Sequence, residues 1–180
     1  MGESRRRWGA AVAAAAFAVV ALSGCAGEEA TAAADATGNE AALATVGEPA
    51  PDFTGTTADG EPISLAGLAG RPVWLTFGAT WCASCRVEAP DMQDAHEATP
   101  GVEVVMVYLS EDAPTVTDYA QRLGTTFTHV PDPRGEISAK YHVVGVPVHW
   151  FVDADGVVRD VKFGVLSRAQ MDEELAELQG

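Results

Sequence analysis

From Val73 to Phe77 the chain reads Val-Trp-Leu-Thr-Phe, and from Val102 to Leu109 it is apolar at almost every position. Runs of this kind, without alternation, suit strands covered on both faces inside a sheet. The stretches Cys82 to Ala98, Pro114 to Leu123 and Ser167 to Leu178 instead mix polar and apolar positions as helices do. Two pairs of shorter segments are separated by turn residues. Phe53 to Thr57 and Ile63 to Leu65 flank Asp59-Gly60, while Pro147 to Val152 and Val157 to Phe163 flank Asp153-Ala154-Asp155-Gly156. The order predicts an α/β domain with a central mixed β-sheet flanked by helices and an N-terminal β-hairpin extension. Glu48 to Gly180 is long enough for one core and too short for two, so residues 48–180 are read as a single domain.

The pattern changes before Glu48. Residues 1 to 24 open with Arg5, Arg6 and Arg7, continue through an apolar stretch from Ala10 to Leu22, and end in small residues. As a helix that stretch would rise only about 20 Å, whereas a bilayer core needs roughly 20 residues, so it reads as a signal peptide and not a span. Leu22-Ser23-Gly24-Cys25 resembles the bacterial lipobox, which implies cleavage before Cys25 and a lipid on its sulfur. Ser4-Arg5-Arg6-Arg7-Trp8 also resembles a twin-arginine export signal, leaving the export route open between that and the general secretory one. Residues 26 to 47 are rich in Ala, Glu, Thr and Gly, with no aromatic or basic residue, and cannot build a core. With the lipidated Cys25 they form a flexible linker reaching about 25 Å. These features predict an extracytoplasmic protein anchored by lipid to the bacterial cell membrane.

Charge narrows the partners. The chain carries 11 Lys and Arg against 26 Asp and Glu. Removing residues 1 to 24 takes away three Arg and one Glu, leaving 8 against 25 and a formal charge of −17. Phosphate backbones repel such a surface, which excludes nucleic acid and favours basic or neutral protein partners.

Cys25 belongs to the signal region, so the chemistry of the domain falls to Trp81-Cys82-Ala83-Ser84-Cys85. A two-cysteine motif of this spacing serves thiol-disulfide exchange or forms half of a zinc site. The chain has no second C-x-x-C and no H-x-x-x-H to complete four ligands, and His96, His129, His142 and His149 are scattered. No metal and no cofactor is expected beyond a redox-active Cys82-Cys85 disulfide. At a helix start, unpaired N–H groups and the positive end of the helix dipole would favour the Cys82 thiolate. Cys85, less than a turn later, can reach back as the resolving thiol. Arg86 either helps to hold Cys82 ionised or is a solvated surface arginine. Glu88 lies on the same helical face as Cys85 and could exchange a proton with it, although composition alone places a helical glutamate at the surface.

From about Val46 onward the chain resembles the TlpA/ResA branch of thioredoxin-fold oxidoreductases, within the redoxin/AhpC-TSA superfamily. The marks are the W-C-x-x-C-x-x-E-x-P run from Trp81 to Pro90 and Gly145-Val146-Pro147 before a late strand. The resemblance implies a thioredoxin-like fold, an active-site acid at Glu88, a helix bend at Pro90, and a cis Val146-Pro147 bond facing the thiols. Substrate would then bind along Trp81, Val146 and Pro147, with the Val146 backbone free to pair with an extended chain. Val148 and His149 depart from the threonine that often follows this proline, and His149 either lines the site or is a packed or surface histidine. The family leans toward reductants serving cytochrome c maturation, with some members oxidising secreted proteins. Protein thiols and disulfides, apocytochrome c among them, and a membrane thiol-redox donor or acceptor are the implied partners.

Two rivals share the fold. A thiol peroxidase would want proline and threonine where the chain has Leu75 and Ala79. A copper-binding redoxin-fold chaperone would use Cys82, Cys85 and a histidine such as His149, usually with C-x-x-x-C spacing.

Overall fold

The computed structural model describes residues 45–180; residues 1–24, Cys25 and the linker as far as residue 44 lie outside them. The elements run β1 (Thr54–Thr56), β2 (Pro62–Ser64), a 3-10 turn (Ala66–Leu68), β3 (Val73–Gly78), α1 (Ala83–Ala98), β4 (Glu103–Leu109) and α2 (Ala113–Leu123). They continue through β5 (Thr128–Asp132), α3 (Glu136–Lys140), β6 (Val148–Val152), β7 (Val158–Phe163) and α4 (Arg168–Gln179). β1 and β2 form the expected small hairpin, and the main sheet has the order β5-β4-β3-β6-β7. β3 runs parallel to β4 and antiparallel to β6, which makes the sheet mixed.

Every residue of β3 is buried because the strand sits at the centre of the sheet with a layer on each side. Alternation sorts its side chains between two cores. Trp74 joins Met106, Tyr108 and Phe151 under α1, α2 and α4, where Met92, Tyr119 and Leu175 pack. Val73, Leu75 and Phe77 face the other way, onto Phe53, Ile137, Tyr141 and Trp150. The first of these layers carries the candidate site.

Two elements were not legible in the sequence. β5 is an edge strand, Thr-His-Val-Pro-Asp, whose Pro131 speaks against a strand until its place at the margin is known. Its pairing with β4 is parallel, with Val130 opposite Val107. α3 is too short to show a period, and its cap Gly135 stands at φ 67° with no side chain to offer. Asp132 supplies the missing acceptors: its carboxylate takes hydrogen bonds from Ile137 N at 3.2 Å, Ser138 N at 2.9 Å and Ser138 Oγ at 2.7 Å.

The β5 histidine gives the fold a pH dependence. The Tyr108 hydroxyl lies 2.7 Å from His129 Nδ1, and Thr125 Oγ1 lies 3.2 Å from Nε2. Burial pushes the His129 imidazole below the ordinary histidine range. The unfolded chain therefore binds the proton first, so the stabilisation is complete above about pH 6.5 and is lost as pH falls toward the folded-state value. Urea titrations at about pH 7.5 and about pH 5.5 are expected to show this loss, and His129→Gln to flatten it.

Candidate active site

β3 ends at Gly78, and α1 begins at Ala83 with Cys82 as its N-cap at φ −75°, ψ 111°. This places the motif at the carboxyl end of the central strands, where open α/β sheets present their sites. Cys82 and Cys85 are joined by a disulfide with their Cα atoms 5.3 Å apart. Cys85 N donates to Cys82 Sγ at 3.1 Å, so one backbone donor already serves the capping sulfur. Ser84 Oγ lies 3.1 Å from the same sulfur. Cys82 retains 5% exposure and Cys85 none, so a macromolecular substrate can approach the pair only from the Cys82 side.

Gly78 gives the inner sulfur its room. A Cβ there would stand 3.3 Å from Cys85 Sγ and run into Met106 Cε. Behind the strand end, Glu111 fixes the turn that leads to the motif. Its carboxylate accepts from Thr80 N at 2.8 Å and from Thr80 Oγ1. Sequence reasoning passed over Glu111; an acidic residue just beyond an apolar central strand was the available signal.

The Val146–Pro147 peptide is cis. It brings the Val146 carbonyl oxygen to 4.0 Å from Cys82 Sγ. Trp81, at 67% exposure, stands next to Cys82, and Val144, Phe163 and Val165 are exposed as well. Arg86 points to solvent on α1. Its charge bears on Tyr119, whose hydroxyl is pushed up chiefly by burial, with Arg86 opposing.

Glu88 is not on the surface. It is 1% exposed, beneath α1 on the sheet face that also carries Cys85. Oε2 accepts from Leu166 N at 3.2 Å and lies 3.6 Å from His149 Nε2, while Oε1 finds no hydrogen-bond partner among the described residues. His149 is fully buried on β6, opposite Thr76 of β3. Its Nδ1 accepts from Trp74 Nε1 at 3.3 Å and lies 3.1 Å from Thr76 Oγ1; Nε2 lies 3.2 Å from the Gly164 carbonyl oxygen. Of the two readings open for this histidine, packing describes its position, and contact with Glu88 gives that position chemical meaning. The segment from Gly164 to Leu166 closes the arrangement, since Gly164 N donates to Pro147 O at 2.9 Å.

A helix-capping disulfide beside a cis-proline loop, on a five-stranded mixed sheet with helices on both sides, defines a thioredoxin-like thiol-disulfide oxidoreductase. The comparisons agree. Residues 46–161 match the AhpC/TSA family, and the chain belongs to it. The thiol-disulfide oxidoreductase ResA of Geobacillus kaustophilus is 30% identical over 74% of this chain and 78% of its own length. The thioredoxin-like protein YneN of Bacillus subtilis is 34% identical over 72% of this chain and 78% of its own. A secreted Mycobacterium tuberculosis disulfide oxidoreductase described as homologous to E. coli DsbE superposes with a TM-score of 0.65. It is 30% identical and is matched over 70% of this chain and 96% of its own.

Proposed function

We propose that this enzyme is an extracytoplasmic, lipid-anchored reductant of protein disulfides, of the kind that serves cytochrome c maturation. Cys82 of the reduced enzyme attacks a substrate sulfur, forming a mixed disulfide and releasing the first substrate thiolate. Cys85 then attacks Cys82 Sγ; its proton passes to Glu88, and the second substrate thiolate leaves. Two electrons move from the enzyme dithiol to the substrate, and a membrane thiol donor restores the pair. The substrate chain lies along Trp81, Val146 and Pro147.

The observation that carries this reading is the pairing of the more accessible sulfur with a main-chain acceptor. The Val146 carbonyl, 4.0 Å from Cys82 Sγ, is placed to bond an extended chain whose disulfide meets that sulfur. Secretion of the M. tuberculosis relative supports an extracytoplasmic site, and the lipobox-like Leu22 to Cys25 supports the anchor. The resemblance to ResA supports the reducing direction. The rivals fit the site less well. Leu75 and Ala79 offer a peroxide no hydroxyl, and both are fully buried. His149 has Nδ1 engaged by Trp74 and Nε2 at Gly164, which leaves no lone pair for copper.

In cells, Cys85→Ala in the full chain is expected to accumulate a mixed disulfide in the membrane fraction, with an exported cytochrome precursor as the partner. Adding Cys82→Ser should abolish the adduct, and Cys25→Ala should release the protein from the membrane. A Cys85→Ala chain that captures no exported protein would overturn the reductase reading.

A further inference from the structure

We propose that His149 is a positioning residue for Glu88, acting as a neutral N–H donor held in one tautomer by Trp74. The inference rests on Glu88 accepting the Cys85 proton, as set out above, and adds the group that positions the carboxylate for this exchange in a buried site.

The geometry begins on β3. Trp74, Thr76 and Gly78 share one face of the strand, at intervals of about 7 Å. Cys85 lies over Gly78 and His149 over Thr76 and Trp74, so the sulfur and the imidazole occupy adjacent steps beneath α1. Glu88 comes down from α1 to meet the imidazole at 3.6 Å. An indole N–H can only donate. Because Trp74 Nε1 donates to Nδ1, the ring hydrogen of His149 resides on Nε2, facing Gly164 O and Glu88 Oε2.

This tautomer matters for proton traffic. When Cys85 attacks Cys82, the S–H bond of Cys85 breaks, a sulfur–sulfur bond forms, and the proton needs a base within the protein. A carboxylate buried without any donor is costly, whereas one beside a full imidazolium would be held as an ion pair and resist protonation. A neutral Nε2–H, together with Leu166 N, lies between these extremes. Leu166 N donates to Oε2 at 3.2 Å, and the Nε2–H, bonded to Gly164 O at 3.2 Å, faces the same carboxylate oxygen from 3.6 Å, which leaves Oε1 open to take the proton. The other ionisable groups on this side are Lys162 and Tyr119, with Arg86 charged and in solvent on α1 and Glu111 bonded to Thr80. Lys162 of β7 pairs with Asp160 at 2.6 Å and with Glu174 of α4 at 3.0 Å. The Tyr119 hydroxyl of α2 is pushed up chiefly by burial.

The test follows the rate of the resolving step against pH in His149→Leu and His149→Gln, each alone and combined with Glu88→Gln, after circular dichroism shows native folds. His149→Leu is expected to move the midpoint of the profile up by about one pH unit, slowing the step about tenfold on the acid side. His149→Gln, which restores a neutral N–H, should stay within about twofold of the wild type. Both should be silent in the Glu88→Gln background. An unmoved profile in His149→Leu, or an equal shift in His149→Gln, overturns the role of His149. An unmoved profile in Glu88→Gln overturns the proton role of Glu88 itself, a separate failure. If His149→Leu does not fold, the ¹⁵N shifts of the wild-type ring decide: Nε2–H is expected, and Nδ1–H overturns the inference.

Discussion

Cys82→Ser will lose thiol-disulfide exchange activity by about a thousandfold or more, whereas Cys85→Ala will retain the first attack and stall after it. The asymmetry follows from access and from donors. Cys82 is the sulfur that reaches solvent and that caps α1, with Cys85 N at 3.1 Å ready to stabilise negative charge on it. A serine hydroxyl in that place ionises far less readily and cannot form a disulfide, so both the nucleophile and the intermediate disappear. Cys85 is wholly buried over Gly78 and can meet only the sulfur in front of it. Its loss spares the encounter with substrate and removes the exit from the mixed disulfide. Rapid-quench kinetics with a peptide disulfide, read by mass spectrometry, will show one equivalent of adduct in Cys85→Ala and none in Cys82→Ser. Equal losses at the first step would contradict these separate roles.

Trp74→Ala will cost about 3 to 5 kcal/mol of stability, a large fraction of the margin of an ordinary domain. The indole is fully buried at the middle of the sheet and stacks on Phe151 at a centroid distance of 5.8 Å and an interplanar angle of 19°. Truncation leaves a cavity under α1 and α4 and strips Nδ1 of His149 of a donor. Trp74→Phe separates the two effects. It keeps most of the apolar volume, so it should cost less than about half as much, yet it removes the N–H. Chemical denaturation measures the first effect. The histidine ring ¹⁵N signals report the second, as a mixture of tautomers in Trp74→Phe where the wild type shows one. A single Nε2–H signal in that variant would mean that Thr76 alone suffices to hold the ring.

Four strands of the central sheet and the three longer helices were legible because their hydrophobic patterns are set by layers on both sides. Val73 to Phe77 could hardly be anything but a covered strand. β5 and α3 were not legible, because one depends on lying at a sheet margin and the other on Asp132, a partner outside the helix itself. At the site, spacing alone brought Cys82 and Cys85 together, and resemblance pointed to Glu88 and to the cis peptide before Pro147. Composition pointed the other way for Glu88, since a helical glutamate is ordinarily solvated. Its burial depends on how α1 is rotated over the sheet, and on Leu166 and His149 arriving from distant parts of the chain. His149 carried no local mark of its neighbours, and Glu111 was marked only by its place just beyond an apolar strand.

Gly47 N bonds Val158 O at 2.8 Å, at the opposite end of β7 from Phe163, whose partner Val148 adjoins the cis proline. The strand between them measures about 17 Å. The described chain therefore enters the domain at one pole, and the dithiol lies at the other. A partner that docks on the sulfurs and a group fused ahead of Gly47 thus address opposite ends of β7.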